Sequence, residues 1–257
     1  MKKLFVLIAA ACMTCTAAFA QTVKPFKEGE RAVFLGNSIT DGGHYHSYIW
    51  LYYMTRFPDM PIRVFNGGIG GDTAYDMNKR LDGDIFAMKP SVLMVTFGMN
   101  DSGYFEYNGD KPKEFGEQKY QESIKNYQQM EKRFKDLPDT RIVMVGTSPY
   151  DETVQLKENT PFKTKNETIK RLVEYQKESA AKNNWEFTDL NAPMTAINQQ
   201  YQQKDPTFTL CGSDRIHPDN NGHMVMAYLF LKAQGFVGKE VADMEINANK
   251  KQAVKSE

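Results

Sequence analysis

Ala32-Val33-Phe34-Leu35-Gly36-Asn37-Ser38-Ile39-Thr40 is a short apolar run closed by a glycine and a polar turn. Such a run reads as a strand feeding a tight turn, with Gly36 permitting a sharp backbone path and leaving the Ser38 hydroxyl clear of the sheet. Similar runs recur at Ile62–Phe65, Val92–Phe97, Ile142–Val145 and Trp185–Leu190. Between them lie helical candidates at Tyr45–Arg56, Thr73–Met88, Lys119–Lys135, Glu167–Lys182, Pro193–Gln203 and Asn220–Gln234. Strands alternating with helices imply parallel pairing, because a crossover connection is needed to return the chain, and crossovers put helices over both faces of the sheet. The fold class is therefore α/β. Asp72 is expected to cap the second helix, and the aperiodic segment Ser102–Gln118 to be a long loop.

The first twenty residues read as an export signal, with Lys2 and Lys3 before an apolar run and Ala18-Phe19-Ala20 as a small-x-small cleavage site. The run is far below the roughly 20 residues of a bilayer crossing, so no stable membrane insertion is expected after cleavage, and the protein is expected to be periplasmic or secreted. A lipid anchor through Cys12 is the rival, although Ala9-Ala10-Ala11 lacks the usual leucine. Residues 21–237 are expected to form one catalytic domain, and residues 238–257 a polar tail that is an added strand, a frayed end or the start of something further.

Basic and acidic residues number 32 each, without a basic stripe. That balance leaves no electrostatic footprint for nucleic acid and favours a small or neutral substrate. Past the signal only Cys211 remains, which excludes an internal disulfide; a lone cysteine reads as a small buried hydrophobe.

In open parallel sheets, ligands sit at the carboxyl ends of the strands. Here those ends carry Gly36–Thr40, then Asn66-Gly67-Gly68-Ile69-Gly70-Gly71-Asp72-Thr73, then Gly98-Met99-Asn100-Asp101, while Asp214-Arg215-Ile216-His217 precedes the last helix. Acyl transfer needs a nucleophile, a base, a group that orients the base, and donors for the oxyanion. Ser38, His217 and Asp214 fill the first three roles. The Ser38 and Gly71 backbone N–H groups and the Asn100 carboxamide fill the fourth. Thr40 stands where the α/β-hydrolase elbow needs its second glycine, which disfavours that family.

In their joint order these four blocks resemble the SGNH or GDSL hydrolase superfamily over nearly the whole mature chain. The resemblance implies a flavodoxin-like three-layer α/β/α sandwich with a central parallel sheet of about five strands. It also implies ester or thioester hydrolysis without metal or other cofactor. It assigns Ser38 as nucleophile, Gly71 and Asn100 as oxyanion donors beside it, Asp214 as orienter and His217 as base. Asn37 departs from the pattern, since most members carry Asp there.

His44 and His46 invite a metal reading, but no Cys or carboxylate cluster accompanies them, and His223 reads as a packed or capping residue. Tyr45, Tyr48, Trp50, Tyr52 and Tyr53 read mostly as core. Tyr104, Phe105 and Tyr107 follow Asn100 and are the expected pocket wall; Asp101 is expected to hold that loop by hydrogen bonds. The leading expectation is an exported esterase removing short acyl groups, such as acetyl, from a small-molecule or carbohydrate ester. Its rivals are a lysophospholipase or thioesterase, and a catalytically silent sugar-binding module.

Overall fold

The computed structural model describes residues 22–238, Met244–Asn247 and Gln252–Ser256; the expected signal sequence and Cys12 lie outside the described residues. Five parallel strands, β1 (Arg31–Gly36), β2 (Arg63–Gly68), β3 (Val92–Val95), β4 (Arg141–Gly146) and β5 (Glu186–Asp189), make a sheet of order β2-β1-β3-β4-β5. The register is unbroken across the centre, with Phe34 beside Asn66 and Met94, and Met94 beside Val143. All five apolar runs are strands.

Strand residues alternate between two cores, as the two-residue period of a strand dictates. Ala32, Phe34, Val92, Met94, Val143 and Val145 face one cluster. There they meet α2 (His44–Arg56), α6 (Asn191–Gln202) and α7 (Asn220–Ala233) through Ile49, Tyr53, Met194 and Phe230. Val33, Leu35, Leu93, Val95, Ile142 and Met144 face the other. There they meet α3 (Ala74–Arg80) and α4 (Pro112–Lys135) through Met77, Tyr127, Met130 and Phe134. The helix α5 (Lys165–Lys182) contributes Ile169 and Val173 to the first core and Ala180 to the second. Because every strand points the same way, the turns after β1, β2 and β3 open on one edge of the sheet, where the site lies.

Three local expectations are corrected. Asp72 does not cap α3: Thr73 is the N-cap, in a reciprocal capping box with Asp76, and Asp72 is drawn instead to Arg80 at 2.6 Å. The helix expected over Thr73–Met88 changes pitch, passing at Leu81 into a π-helical turn and then a 3₁₀ turn, Phe86–Met88; Gly83 lies in that stretch, where a glycine weakens α-helical geometry. Ser102–Gln118 is not one long loop. It holds a 3₁₀ turn, Phe105–Asn108, and α4 starts at Pro112, whose missing N–H and fixed φ suit a first helical position. The tail contains an antiparallel pair, β6 (Met244–Asn247) and β7 (Gln252–Ser256), with a register shift between Glu245 and Ile246.

Candidate active site

Ser38 opens a one-turn helix, α1 (Ser38–Asp41), capped by Asn37, whose side chain accepts from the Ile39 N–H at 3.1 Å. The first amides of a helix lack intrahelical partners, and no hydrogen bond among the described residues engages the Ser38 N–H. The turn is packed so tightly that a Cβ on Gly36 would lie 2.1 Å from the Thr40 hydroxyl, which requires glycine there. Asn37 thus caps the turn with its side chain despite the departure from Asp.

The Ser38 Oγ lies 2.7 Å from His217 Nε2, and His217 Nδ1 lies 2.6 Å from Asp214 Oδ2. Asp214 Oδ1 accepts from the Ile216 and His217 backbone N–H groups, both at 2.9 Å. The carboxylate therefore shapes the loop with one oxygen and orients the imidazole with the other. The Asp214 hydrogen bond raises the His217 pKa, against a smaller opposing push from desolvation. Desolvation pushes Asp214 upward, but the hydrogen bonds from His217 and Ile216 outweigh it and hold the carboxyl below its ordinary value. Both side chains are 47% exposed, so the site is shallow.

Gly71 adopts φ +85°, a left-handed conformation that glycine accepts without strain, and no hydrogen bond among the described residues engages its N–H. The Ile69–Asp72 turn is anchored to β1 by the Ile69 N–H donating to the Gly36 carbonyl. Asn100 donates from Nδ2 to the Asp72 carbonyl at 2.9 Å and accepts on Oδ1 from the Tyr104 hydroxyl. One Nδ2 hydrogen is left to point elsewhere. Asp101 is buried and accepts from the Ala74 N–H, the Gly98 N–H and the Ser123 hydroxyl, so it holds the loop to α3 and α4 as expected.

The three expected wall residues part company. Phe105 is 80% exposed and edge-on to Phe162. Tyr104 is half-buried with its hydroxyl on Asn100. Tyr107 is 3% exposed, and its hydroxyl donates to the Ser102 carbonyl at 2.8 Å and also meets Thr168. Tyr107 is therefore an internal brace of the loop and not a wall, because Gly116 lets α4 close over its ring. His46 is buried against the Thr40 carbonyl, and His44 stacks on buried His223 at 5.0 Å. Burial, and then the His44 charge, drive His223 down to about 4. Among the described residues no group of His, Cys, Asp and Glu could hold a metal ion. Cys211 is buried with its thiol pKa pushed up by desolvation, the reverse of what a nucleophilic thiol needs.

Three cations near the site have no counterpart in the sequence reading. The Arg80 guanidinium reaches the Gly36 and Gly67 carbonyls, tying the ends of β1 and β2 together. The Arg215 guanidinium, inside the Asp214–His217 loop, is buried and donates to the Asp151, Val154 and Asn159 carbonyls. Lys165 is fully buried against the loop that carries Asn100, donating to the Met99 carbonyl, the Ser102 hydroxyl and the Gly103 carbonyl. Burial lowers its ammonium to about 7, with the Asp101 charge pulling back. Arg215 carried no signal beyond its place in the Asp214–His217 block. Lys165, in a polar stretch at the start of a helix, carried none.

A parallel sheet with a hydrogen-bonded Ser, His and Asp at its carboxyl edge is the arrangement of a serine hydrolase. The sequence model of the GDSL-like Lipase/Acylhydrolase family matches residues 34–225, and the chain belongs to that family. It is 27% identical over 224 residues to an acetylxylan esterase of Geobacillus stearothermophilus, covering 81% of this chain and 95% of that protein. A crystal structure of that bacterium's acetylxylan esterase superposes with a TM-score of 0.64 at 25% identity, covering 83% of this chain and 96% of the other. The structure of a gut microbial diltiazem-metabolizing enzyme superposes with a TM-score of 0.87 at 85% identity; it covers 92% of this chain, which spans 54% of that longer one. No helix among the described residues is long and apolar enough to cross a membrane.

Proposed function

We propose that the protein is an exported, metal-independent esterase that removes acetyl or similarly short acyl groups from carbohydrate and other small-molecule esters. Ser38 is the nucleophile, His217 the base, Asp214 its orienter, and the Ser38 N–H, Gly71 N–H and Asn100 carboxamide the oxyanion donors. The observation that carries this reading is the chain of two short hydrogen bonds from Ser38 Oγ through His217 to Asp214.

In the first half-reaction the Ser38 Oγ attacks the ester carbonyl as its proton passes to His217 Nε2, and the carbonyl π pair moves onto oxygen, where the donors meet the new charge. Collapse expels the alcohol, which takes the proton from His217 and leaves an acyl-serine. A water then repeats the sequence, with His217 again as base, and releases the acid and Ser38. Asp214 remains ionised throughout and stabilises the imidazolium that forms twice.

A short acyl group is favoured because the apolar hollow of about 550 Å³ between α2 and α7 is lined by Tyr48, Leu51, Tyr52, Met224, Tyr228 and Leu231, and by none of the triad. A carbohydrate alcohol is supported by the acetylxylan esterase relative. That another neighbour is named for metabolizing diltiazem supports an open leaving-group side, in keeping with the shallow triad. Export is supported by the charged, apolar and small-residue order of residues 1–20.

The test is hydrolysis of p-nitrophenyl esters of increasing chain length and of acetylated xylooligosaccharides by wild type and Ser38→Ala. The expected result is preference for acetyl in the wild type, loss of all turnover in the variant with an unchanged circular dichroism spectrum, and phosphonate labelling at Ser38 alone. Turnover by Ser38→Ala, or labelling at Cys211, would overturn the assignment.

A further inference from the structure

We propose that Tyr104 is a positioning residue for the Asn100 carboxamide, held in place by the buried Lys165 ammonium; the inference deepens the oxyanion assignment above and rests on it. A primary amide has two orientations that fill the same space and exchange donor for acceptor. At Asn100 the surroundings distinguish them. Nδ2 faces the Asp72 carbonyl, which can only accept, and Oδ1 faces the Tyr104 hydroxyl, which donates. Turning the amide over would set Oδ1 against the Asp72 carbonyl oxygen and remove that hydrogen bond. In the observed orientation one N–H is spent on Asp72, and the remaining N–H is the one available to a developing oxyanion. Asp72 alone can select the orientation, but only the second contact fixes the plane of the amide, and with it the direction of that last hydrogen.

Tyr104 is suited to this because its own ring is fixed. Lys165 Nζ lies 3.9 Å from the ring centroid, within the range of a cation–π contact. The hydrogens of the same ammonium go to the Met99 and Gly103 carbonyls and the Ser102 hydroxyl. Those three acceptors bracket Asn100 in the chain. One buried group therefore anchors both the loop that carries the donor and the ring that orients it. Phe162, edge-on to Tyr104 at 6.0 Å, closes another side. Free rotation of the phenol is thereby restricted without any contact to the acyl group being needed.

This role differs from a substrate wall in what it does to kinetics. A residue that aims a transition-state donor changes kcat and leaves KM nearly alone, and its effect vanishes when the donor is gone. Tyr104→Phe keeps the ring on Lys165 and removes only the hydroxyl. On p-nitrophenyl acetate we expect kcat to fall about tenfold, short of the roughly 10²–10³ expected for outright loss of an oxyanion donor in Asn100→Ala, with KM changed by less than about twofold. In the Asn100→Ala background the same substitution should change kcat by less than about twofold. Unchanged kcat in Tyr104→Phe, a change confined to KM, or an undiminished tenfold effect in the double variant would each overturn the positioning role. If Asn100→Ala itself keeps nearly full kcat, the oxyanion reading of Asn100 falls and takes this inference with it. That outcome is separable from the others because it appears in the single variant.

Discussion

Replacing Asp214 by Asn tests the triad at the point where the structure makes the sharpest demand. Asp214 Oδ1 accepts from two backbone N–H groups, and an asparagine oxygen can keep both, so the loop should hold its shape. The other atom becomes an NH₂ donor facing His217 Nδ1. Where Oδ2 stood at 2.6 Å, a donor now requires Nδ1 to accept, which places the imidazole proton on Nε2. Nε2 then faces the Ser38 hydroxyl with a hydrogen and cannot take its proton. The expected loss is roughly 10⁴-fold in kcat, about 5 kcal/mol of transition-state stabilisation, as for the wrong tautomer in other serine hydrolases. Stability should change by less than about 1 kcal/mol, since an ion pair whose partners are 47% exposed is largely screened. The pH profile supplies a second readout. In the proposed mechanism catalysis needs neutral His217, whose pKa is raised chiefly by the Asp214 hydrogen bond, so wild-type activity should be lost on acidification through a midpoint above the ordinary histidine value, and the residual limb of Asp214→Asn should lie at lower pH. Stability runs the other way. The raised His217 pKa contributes stability that is full below the unfolded value and fades as pH rises through the folded one. The lowered Asp214 pKa contributes stability that is present above its unfolded value and fades as pH falls through the folded one. The pair is therefore most stabilising in mildly acid solution, where it is least active. A stopped assay across pH with thermal melts on the same preparations checks both. A loss in kcat below about tenfold, or an acid limb that does not move, would refute the tautomer argument.

Phe105→Ala should weaken kcat/KM for an acetylated oligosaccharide by about 1–3 kcal/mol while leaving p-nitrophenyl acetate nearly unchanged, because the ring is 80% exposed beside the site and supports no catalytic atom; parallel losses on both substrates would mean that it holds the loop. Arg215→Met removes donors to three carbonyls, and at about 1 kcal/mol or more for each acceptor left buried should lower the denaturant midpoint. It should also make the segment 151–159 more readily cut by protease. An unchanged midpoint would mean that water replaces the guanidinium.

The central strands β1, β3 and β4 were legible because burial on both faces leaves a continuous apolar run; the edge strands β2 and β5 are only partly buried and carry shorter runs, and all five pair in the sheet. Helix ends were less so. The start of α4 at Pro112 was missed because Lys113, Glu114 and Gly116 give no apolar stripe, although a proline at the first helical position is itself a signal. Asp72 is a good capping type standing one residue too early, and only the position of Arg80 shows why it is otherwise engaged. At the site, Ser38, Asp214 and His217 could be named because, although each is common singly, their joint order with Gly71 and Asn100 is informative, and the structure brings the three within hydrogen-bond distance. Tyr107 could not be told from Phe105 two residues away, since both are aromatic on one loop. What separates them is the closeness of α4, which depends on Gly116 packing against the Thr168 hydroxyl and the Tyr107 ring.

A triad nearly half open to water needs its rigidity from elsewhere, because exposed side chains gain little from each contact and catalysis tolerates little misplacement. Here the backbone beneath it is fastened by cations that bind carbonyl oxygens. Arg80 joins the residue before the nucleophile turn to the strand that leads to Gly71. Lys165 holds the residues on either side of Asn100. Arg215 holds the segment facing the Asp214–His217 loop. Each gathers two or three carbonyls around the site, which a neutral side chain with fewer donors would satisfy less completely. Of the three, only Arg80 meets a carboxylate at ion-pair distance among the described residues; the buried head groups of Lys165 and Arg215 instead donate to peptide carbonyls and, for Lys165, a hydroxyl. Those dipoles can be arranged only by the folded loops themselves, so the cations and the loops order one another, and the site's precision depends on its unreactive charges as much as on its reactive ones.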